Sequence, residues 1–204
     1  KNGQLVLRDR IEVDVVGART EVPALKNVMR PDLLLLNDGD LTFAKIRLDE
    51  NSWQTAVAHL GDLTDPLARA LVWGAAWDMT RDAEVSTGDF LSLVLSGIDQ
   101  ESDIGVVQGV LRQLKAALDQ YAAPANRPGY LERLATAMQS HAEAAEPASD
   151  RQLAFTRAFI SSATTPAHLD VVAGLLSGDV VWEGLAVDAD LRWGLLQRLV
   201  VMGR

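Results

Sequence analysis

The side chains best suited to hydrolytic or redox chemistry are few and scattered. The chain has three histidines, His59, His141 and His168, and no cysteine. A catalytic zinc needs two imidazoles one helical turn apart, as in H-E-x-x-H, so that both nitrogens reach one ion. No two of these histidines have that spacing. His141 and Glu143 lie two positions apart, on different sides of a helix. The three histidines are therefore read as structural. Without a thiol, disulfides, iron–sulfur ligation and Cys nucleophiles are excluded. No G-x-S-x-G elbow presents a serine, and no G-x-G-x-x-G or Walker A loop could cradle phosphates. No catalytic, cofactor-binding or metal-binding residue is assigned to this chain.

Three further groups have a structural reading and a sharper one. Asn37-Asp38-Gly39-Asp40 resembles the start of a calcium loop but lacks the later ligands and distal Glu of an EF-hand, so a hairpin turn is expected. Asp49 with Glu50, and Glu101 with Asp103, are read as solvated acidic faces. Trp73 and Trp77, four residues apart, share one helix face, where core packing is expected and a peptide-contacting groove is the alternative.

The bulk composition narrows the partners. The formal charge is -9 over 204 residues. An acidic surface repels phosphate backbones and anionic headgroups, which argues against nucleic-acid and membrane partners. That charge keeps a protein soluble; a field attracting cationic peptides is the sharper alternative. Hydrophobic residues make up 48% and charged residues 23%, enough apolar material for one domain, or one domain with a small appendage. No apolar run approaches the ~18 residues that a membrane-spanning helix needs. The polar start Lys1-Asn2-Gly3-Gln4 is no secretory signal, and with the missing thiols it points to the cytoplasm. A chain that opens on a strand-like run without an initiator Met is expected to be a piece of something longer.

Two kinds of element follow one another. Up to about residue 50 the pattern is strand-like. Leu5-Val6-Leu7 and Ile11-Glu12-Val13-Asp14-Val15-Val16 are β-branched-rich, and Ile11, Val13 and Val15 alternate with acids at the period of a half-buried strand. Thr20 to Pro23 is a short edge extension. The runs 33–36 and 41–48 flank Asp38-Gly39, a strong hairpin signal, with a bulge expected between Phe43 and Ala44. From Ser52 the pattern is helical. Helices are expected from Ser52 to about Leu60, from Pro66 to Arg81, and over Thr87–Ile98, Ser102–Tyr121, Gly129–Glu143, Ser149–Ser162, Pro166–Leu176 and Asp188–Met202. Thr64-Asp65-Pro66, Ser149-Asp150 and Thr165-Pro166 are clear starts. The joints 122–128 and 144–148 are too short for domain linkers. The expected fold is mainly α: antiparallel helix pairs stacked as a HEAT-like α-solenoid, preceded by a small β-sandwich remnant. The domains are then 1–50 and 51–204. No fixed sequence period accompanies the helices.

The segment Asn37 to Trp53, NDGDLTFAKIRLDENSW, resembles the end of the β-sandwich domain in zinc aminopeptidases N of the M1 family. Asp65 to Val85, DPLARALVWGAAWDMTRDAEV, is similar to the helices that follow, especially in the actinobacterial branch. Ile11 to Leu25 resembles earlier sandwich strands, and Val187 to Arg204 resembles a late segment of the same helical domain. The resemblance implies the ERAP1-like helical C-terminal region of an enzyme that removes N-terminal residues from peptides with a zinc-bound water. The zinc ligands, the catalytic Glu and the GxMEN motif of that family lie in an upstream domain and have no counterpart here. The chain departs from a full family C-terminus in beginning mid-sandwich and stopping before the last helices.

The resemblance therefore implies a non-catalytic part that caps the catalytic cleft and shapes peptide access. Its partners are the enzyme's own catalytic domain and peptides, and zinc is held elsewhere in the parent. A free-standing α-solenoid interaction module is the alternative. A four-strand remnant would leave an uncovered face, so dimerisation through it, or its coverage by the helices, is expected.

Overall fold

A computed structural model describes residues 4–204. Its regular structure among those residues is helical: α1 (Glu50–His59), α2 (Pro66–Arg81), α3 (Thr87–Gly97), α4 (Ile104–Gln120), α5 (Arg127–Ala144), α6 (Asp150–Ser162), α7 (Pro166–Ser177) and α8 (Ala189–Val201), with short 3₁₀ turns between some of them.

The helices start where side chains can accept the first free N–H groups. Asp49, Asp65, Ser86, Asp103, Ser149, Thr165 and Asp188 each cap a helix with a side-chain oxygen. Pro66 and Pro166 occupy first-turn positions, where their missing N–H costs nothing. The cap of α1 differs from expectation. Asp49, not Ser52, accepts the N–H, at 2.8 Å, and the buried Ser52 hydroxyl instead accepts the Leu34 N–H at 2.9 Å.

The helices pack on sequence neighbours and on the element two further along. α1 packs on α3, α2 on α4, α3 on α5, α4 on α6 and α6 on α8, while α5–α6 and α7–α8 form close hairpins. One continuous apolar core runs through all eight helices. Phe90, Leu93, Leu114, Met138, Phe159 and Leu195 are fully buried along it. Each such side chain contributes roughly 1.5–3 kcal/mol.

The expected strands do not form among the described residues; the one element before α1 is a 3₁₀ turn at Pro23–Leu25. The turn at the predicted hairpin tip does form, with Asp40 N–H donating to the Asn37 carbonyl at 2.9 Å. Positive φ falls at Asn37, Gly39 and Asp40, however, and not at Asp38. A tight two-residue hairpin needs it at both central positions. The Asn37 side chain then ties off the loop by bonding both the N–H and the carbonyl of Thr42. An isolated pair of strands is marginal in water without a further strand or a covering helix. The helices cover little of these runs: Leu35 packs against the core and α1 bonds residues 32 and 34, but Val15 is 80% exposed and Phe43 entirely so.

The last residues before α1 behave differently. Ile46 and Leu48 enter the core, and Leu48 N–H points at Met79 Sδ, 3.4 Å away. Asp82 at the end of α2 pairs with Lys45 and Arg47, and Arg47 also reaches Glu84 at 2.7 Å.

Two backbone positions carry testable strain. α2 ends in a Schellman turn, with Glu84 N–H on the Met79 carbonyl and Ala83 N–H on the Thr80 carbonyl. Ala83 must hold φ at +60° there. Ala83→Gly removes a left-handed penalty of about 1–2 kcal/mol, part of which unfolded-chain entropy takes back. Differential scanning calorimetry is expected to show a melting point about 2 °C higher. At Gly184, φ is +75° and an added Cβ would lie 2.4 Å from the Ala148 nitrogen. Gly184→Ala is expected to lose about 2–4 kcal/mol in urea unfolding.

Candidate functional site

The polar centre of the fold is an ion pair brought together from two distant stretches. α2 carries Arg69 and Trp73 one turn apart, so both side chains leave the same face. Residues 101–103 lie in the corner before α4. Glu101 is 1% exposed and Arg69 6%. Arg69 Nη2 donates to Glu101 Oε1 at 3.0 Å and Arg69 Nε to Oε2 at 3.2 Å, a two-pronged contact. Trp73 Nε1 donates to Oε2 at 3.1 Å, and the Ser102 N–H to Oε1 at 2.9 Å. Arg69 also donates to the Leu63 carbonyl at 2.7 Å and to Ser102 Oγ at 3.1 Å.

Arg151 of α6 extends the network. Its guanidinium donates to the carbonyls of Ile98, Asp99 and Glu101, which face it where α3 ends. The same guanidinium lies over the Phe155 ring, 5.3 Å from its centre, and His141 of α5 sits 5.2 Å from that ring. α2, α3, the α4 corner, α5 and α6 thus meet at one place.

The reading of Glu101 with Asp103 as a solvated pair is corrected here. Asp103 caps α4 at the surface, but Glu101 is sealed inside. Asp49 is a cap, and Glu50 accepts from Gln54 at 3.0 Å. Trp73 is buried and Trp77 half-buried, packed on Phe90 and Tyr121. Asn37 to Asp40 form a loop closed on Thr42.

The histidines remain apart. His59 Nδ1 is 3.0 Å from Asp62 Oδ2. His168 of α7 is buried, its Nε2 3.2 Å from Thr136 Oγ1 and its ring edge-on to Phe159. Among the described residues no three His, Asp or Glu side chains converge as metal ligands would. Both Glu101 oxygens already accept two or more donors, so the carboxylate is occupied in scaffolding. The one signal for this network in the sequence was an arginine set between apolar residues at Ala68 and Ala70, one turn before a tryptophan.

The other notable surface lies on α7 and α8. A trough is lined by Leu176, Ala189, Arg192, Trp193 and Leu196. Beside it Trp193, Val200 and Val201 are largely exposed.

Residues 33–204 match the family model of the ERAP1-like C-terminal domain. The chain belongs to that family. Over 202 residues it is also 56% identical to an aminopeptidase N of Streptomyces lividans. The match takes in 99% of this chain and 24% of the relative, so the chain spans about a quarter of that protein's length. Membership in the family fits the helical fold. Among the described residues, no helix is long and apolar enough to cross a membrane.

Titration of the network gives a pH prediction. Burial by itself would raise the Glu101 carboxyl, but Arg69, Trp73 and the Asp103 N–H outweigh it and hold it below its ordinary value of 4.5. Burial lowers His141 below 6.5; Asp99 opposes the shift and Arg151 adds to it. Both groups are depressed, so the folded state binds fewer protons than the unfolded chain. Their contributions are complete above pH 6.5. The His141 share is lost as pH falls below that value, and the Glu101 share as pH falls below 4.5. Urea titrations from pH 8 to 2 are expected to show Glu101→Gln shrinking the lower limb, which the likewise depressed Asp49 and Asp82 share, and His141→Gln removing the upper. Arg69→Met alone leaves a buried unpaired carboxylate and is expected to cost about 3–5 kcal/mol.

Proposed function

We propose that this chain is the non-catalytic helical C-terminal part of an M1-type zinc aminopeptidase N. In that reading it caps the catalytic cleft and shapes the path by which peptides reach it. The observation that carries it is the 56% identity to an aminopeptidase N over nearly the whole chain. Zinc and the zinc-bound water that attacks the peptide belong to an upstream domain of the longer enzyme. The peptidase activity is that of the whole protein. The chain supplies shape: a rigid stack of helices whose polar groups are used internally.

The contact pattern supports a HEAT-like reading. Helices that touch both the next element and the one after it are what stacked hairpins produce, and such stacks curve to give a concave face. The largely exposed alternating runs of residues 5–16 and 41–43 support a place in a β-sandwich, completed by strands from the rest of the enzyme. In isolation a second copy could supply the missing cover. The two-part division at residues 50/51 belongs to the same reading, as does a cytoplasmic location for the whole enzyme. A free-standing α-solenoid module is the second reading, favoured by the open trough beside α8.

Two measurements test the proposal. The encoding reading frame is expected to hold H-E-x-x-H with a later Glu several hundred residues upstream; a frame starting near Lys1 favours the second reading. The chain alone, with or without added zinc, is expected to release no chromophore from amino-acid anilides, whereas the full enzyme does. Turnover by the isolated chain would refute the proposal.

A further inference from the structure

Arg151 sits in the first turn of α6, just past the Ser149 cap. A helix N-terminus carries partial positive charge, so a guanidinium is disfavoured there unless something holds it. The end of another helix does so. α3 runs into the 3₁₀ turn Ile98–Gln100, and the carbonyls of Ile98, Asp99 and Glu101 accept from the two Nη atoms of Arg151. Those carbonyls form the negative end of α3 and its continuation.

His141 of α5 shares this corner. Its half-buried ring lies 5.2 Å from the centre of the Phe155 ring, and the Arg151 guanidinium carbon lies 5.3 Å from the same centre. Phe155 itself is fully buried. Among the described residues, the charged groups that act on His141 are Asp99 of the 3₁₀ turn and Arg151 of α6. Glu101 lies at the same corner, but its charge is bonded to Arg69.

Neutral, the imidazole sits beside the guanidinium without repelling it. Protonated, it repels Arg151 and attracts Asp99, whose own carbonyl is one of the three that Arg151 holds. Arg151 cannot shed its charge, so it is the group that gives way. The start of α6 does not depend on that side chain. Gln152 beside it is buried and bonded to backbone groups of Ala142, Ala148 and Glu183.

We propose that His141 is the proton sensor of a local switch: on its protonation Arg151 releases the carbonyls of Ile98, Asp99 and Glu101, and the corner before α4 loosens while the helices stay packed. Burial lowers His141 below its ordinary value of 6.5; Asp99 opposes the shift and Arg151 adds to it. The corner is therefore closed at neutral pH and released as pH falls below that value. The switch belongs to the helices themselves and is independent of the aminopeptidase reading.

Trp73 reports on the corner, because its indole N–H donates to Glu101 Oε2 at 3.1 Å. Proton–nitrogen NMR of the 204-residue chain gives one indole signal for each of the five tryptophans. Over a titration from about pH 8 to about pH 5, the Trp73 signal is expected to move with the same midpoint as the His141 ring. His141→Gln is expected to abolish the movement. Arg151→Gln is expected to hold the Trp73 signal near its low-pH position throughout, with the five indole signals still dispersed as in a folded chain. A Trp73 signal that stays still while His141 titrates overturns the proposal. So does one that still titrates in Arg151→Gln, since the His141 charge would then act through space without any release. Collapse of all the indole signals together as pH falls would mean general unfolding and would equally refute a local switch.

Discussion

A carboxylate and a guanidinium taken out of water set the geometry of this protein. Removing both charges from solvent costs several kcal/mol per ion, and their attraction offsets this only when every remaining polar atom finds a partner. Here both Glu101 oxygens do so, through Arg69, Trp73 and the backbone of the α4 corner. That requirement fixes the rotation of α2, because Arg69 and Trp73 must both face residue 101. It fixes where α4 begins, because Ser102 and Asp103 turn their N–H groups back onto the same carboxylate. Arg151 then binds the carbonyls at this corner and draws α6 into place. Apolar packing alone would allow many helix rotations of nearly equal energy. A half-satisfied buried ion pair would not be tolerated, so the network selects one of them.

The two parts of the chain solve their backbone hydrogen bonds differently. From residue 50 onward each helix pairs its own N–H and C=O groups, and its apolar stripe needs only the next helix. The run before residue 45 has strand character and exposed valines and leucines, but strands pair only with other strands. Where Ile46 and Leu48 can reach the core they do, tied to the end of α2 by Lys45, Arg47 and Asp82. The boundary between the parts is therefore a docking point, where salt bridges at the surface cover two buried aliphatic side chains.

The chemistry of the chain and its proposed role agree. Many of its described ionisable side chains are caps, surface pairs or members of the Glu101 network, and its imidazoles sit on α1, α5 and α7, each with its own neighbours. In the proposed role, a domain built this way offers rigidity and shape to a reaction carried out by the rest of a longer enzyme. Rigid stacked helices suit the role proposed above, in which the shape of the chain matters and its side chains carry out no reaction.

Eight helices were legible in the residues because their signals are local: a capping side chain, a first-turn proline, a periodic apolar stripe. Thr165-Pro166 and Ser149-Asp150 start helices by satisfying N–H groups within three residues of themselves. The scarcity of histidine and the lack of cysteine were equally plain, because composition needs no fold. The likeness of Asn37 to Val85 to one enzyme family was legible too, as a match of residue types. Tertiary structure alone decided the rest. Arg69 and Glu101 stand 32 positions apart, and nothing in either neighbourhood says that they meet. Asp49 displaced Ser52 as a cap because the Ser52 hydroxyl was drawn to Leu34. The strand runs had the right alternation, yet alternation states only which face a strand would bury, not whether a neighbouring strand exists to pair with it. Local hydrogen bonds can be read from a sequence because both partners lie within one turn. A buried charge pair or a sheet joins residues whose separation only the folded chain closes.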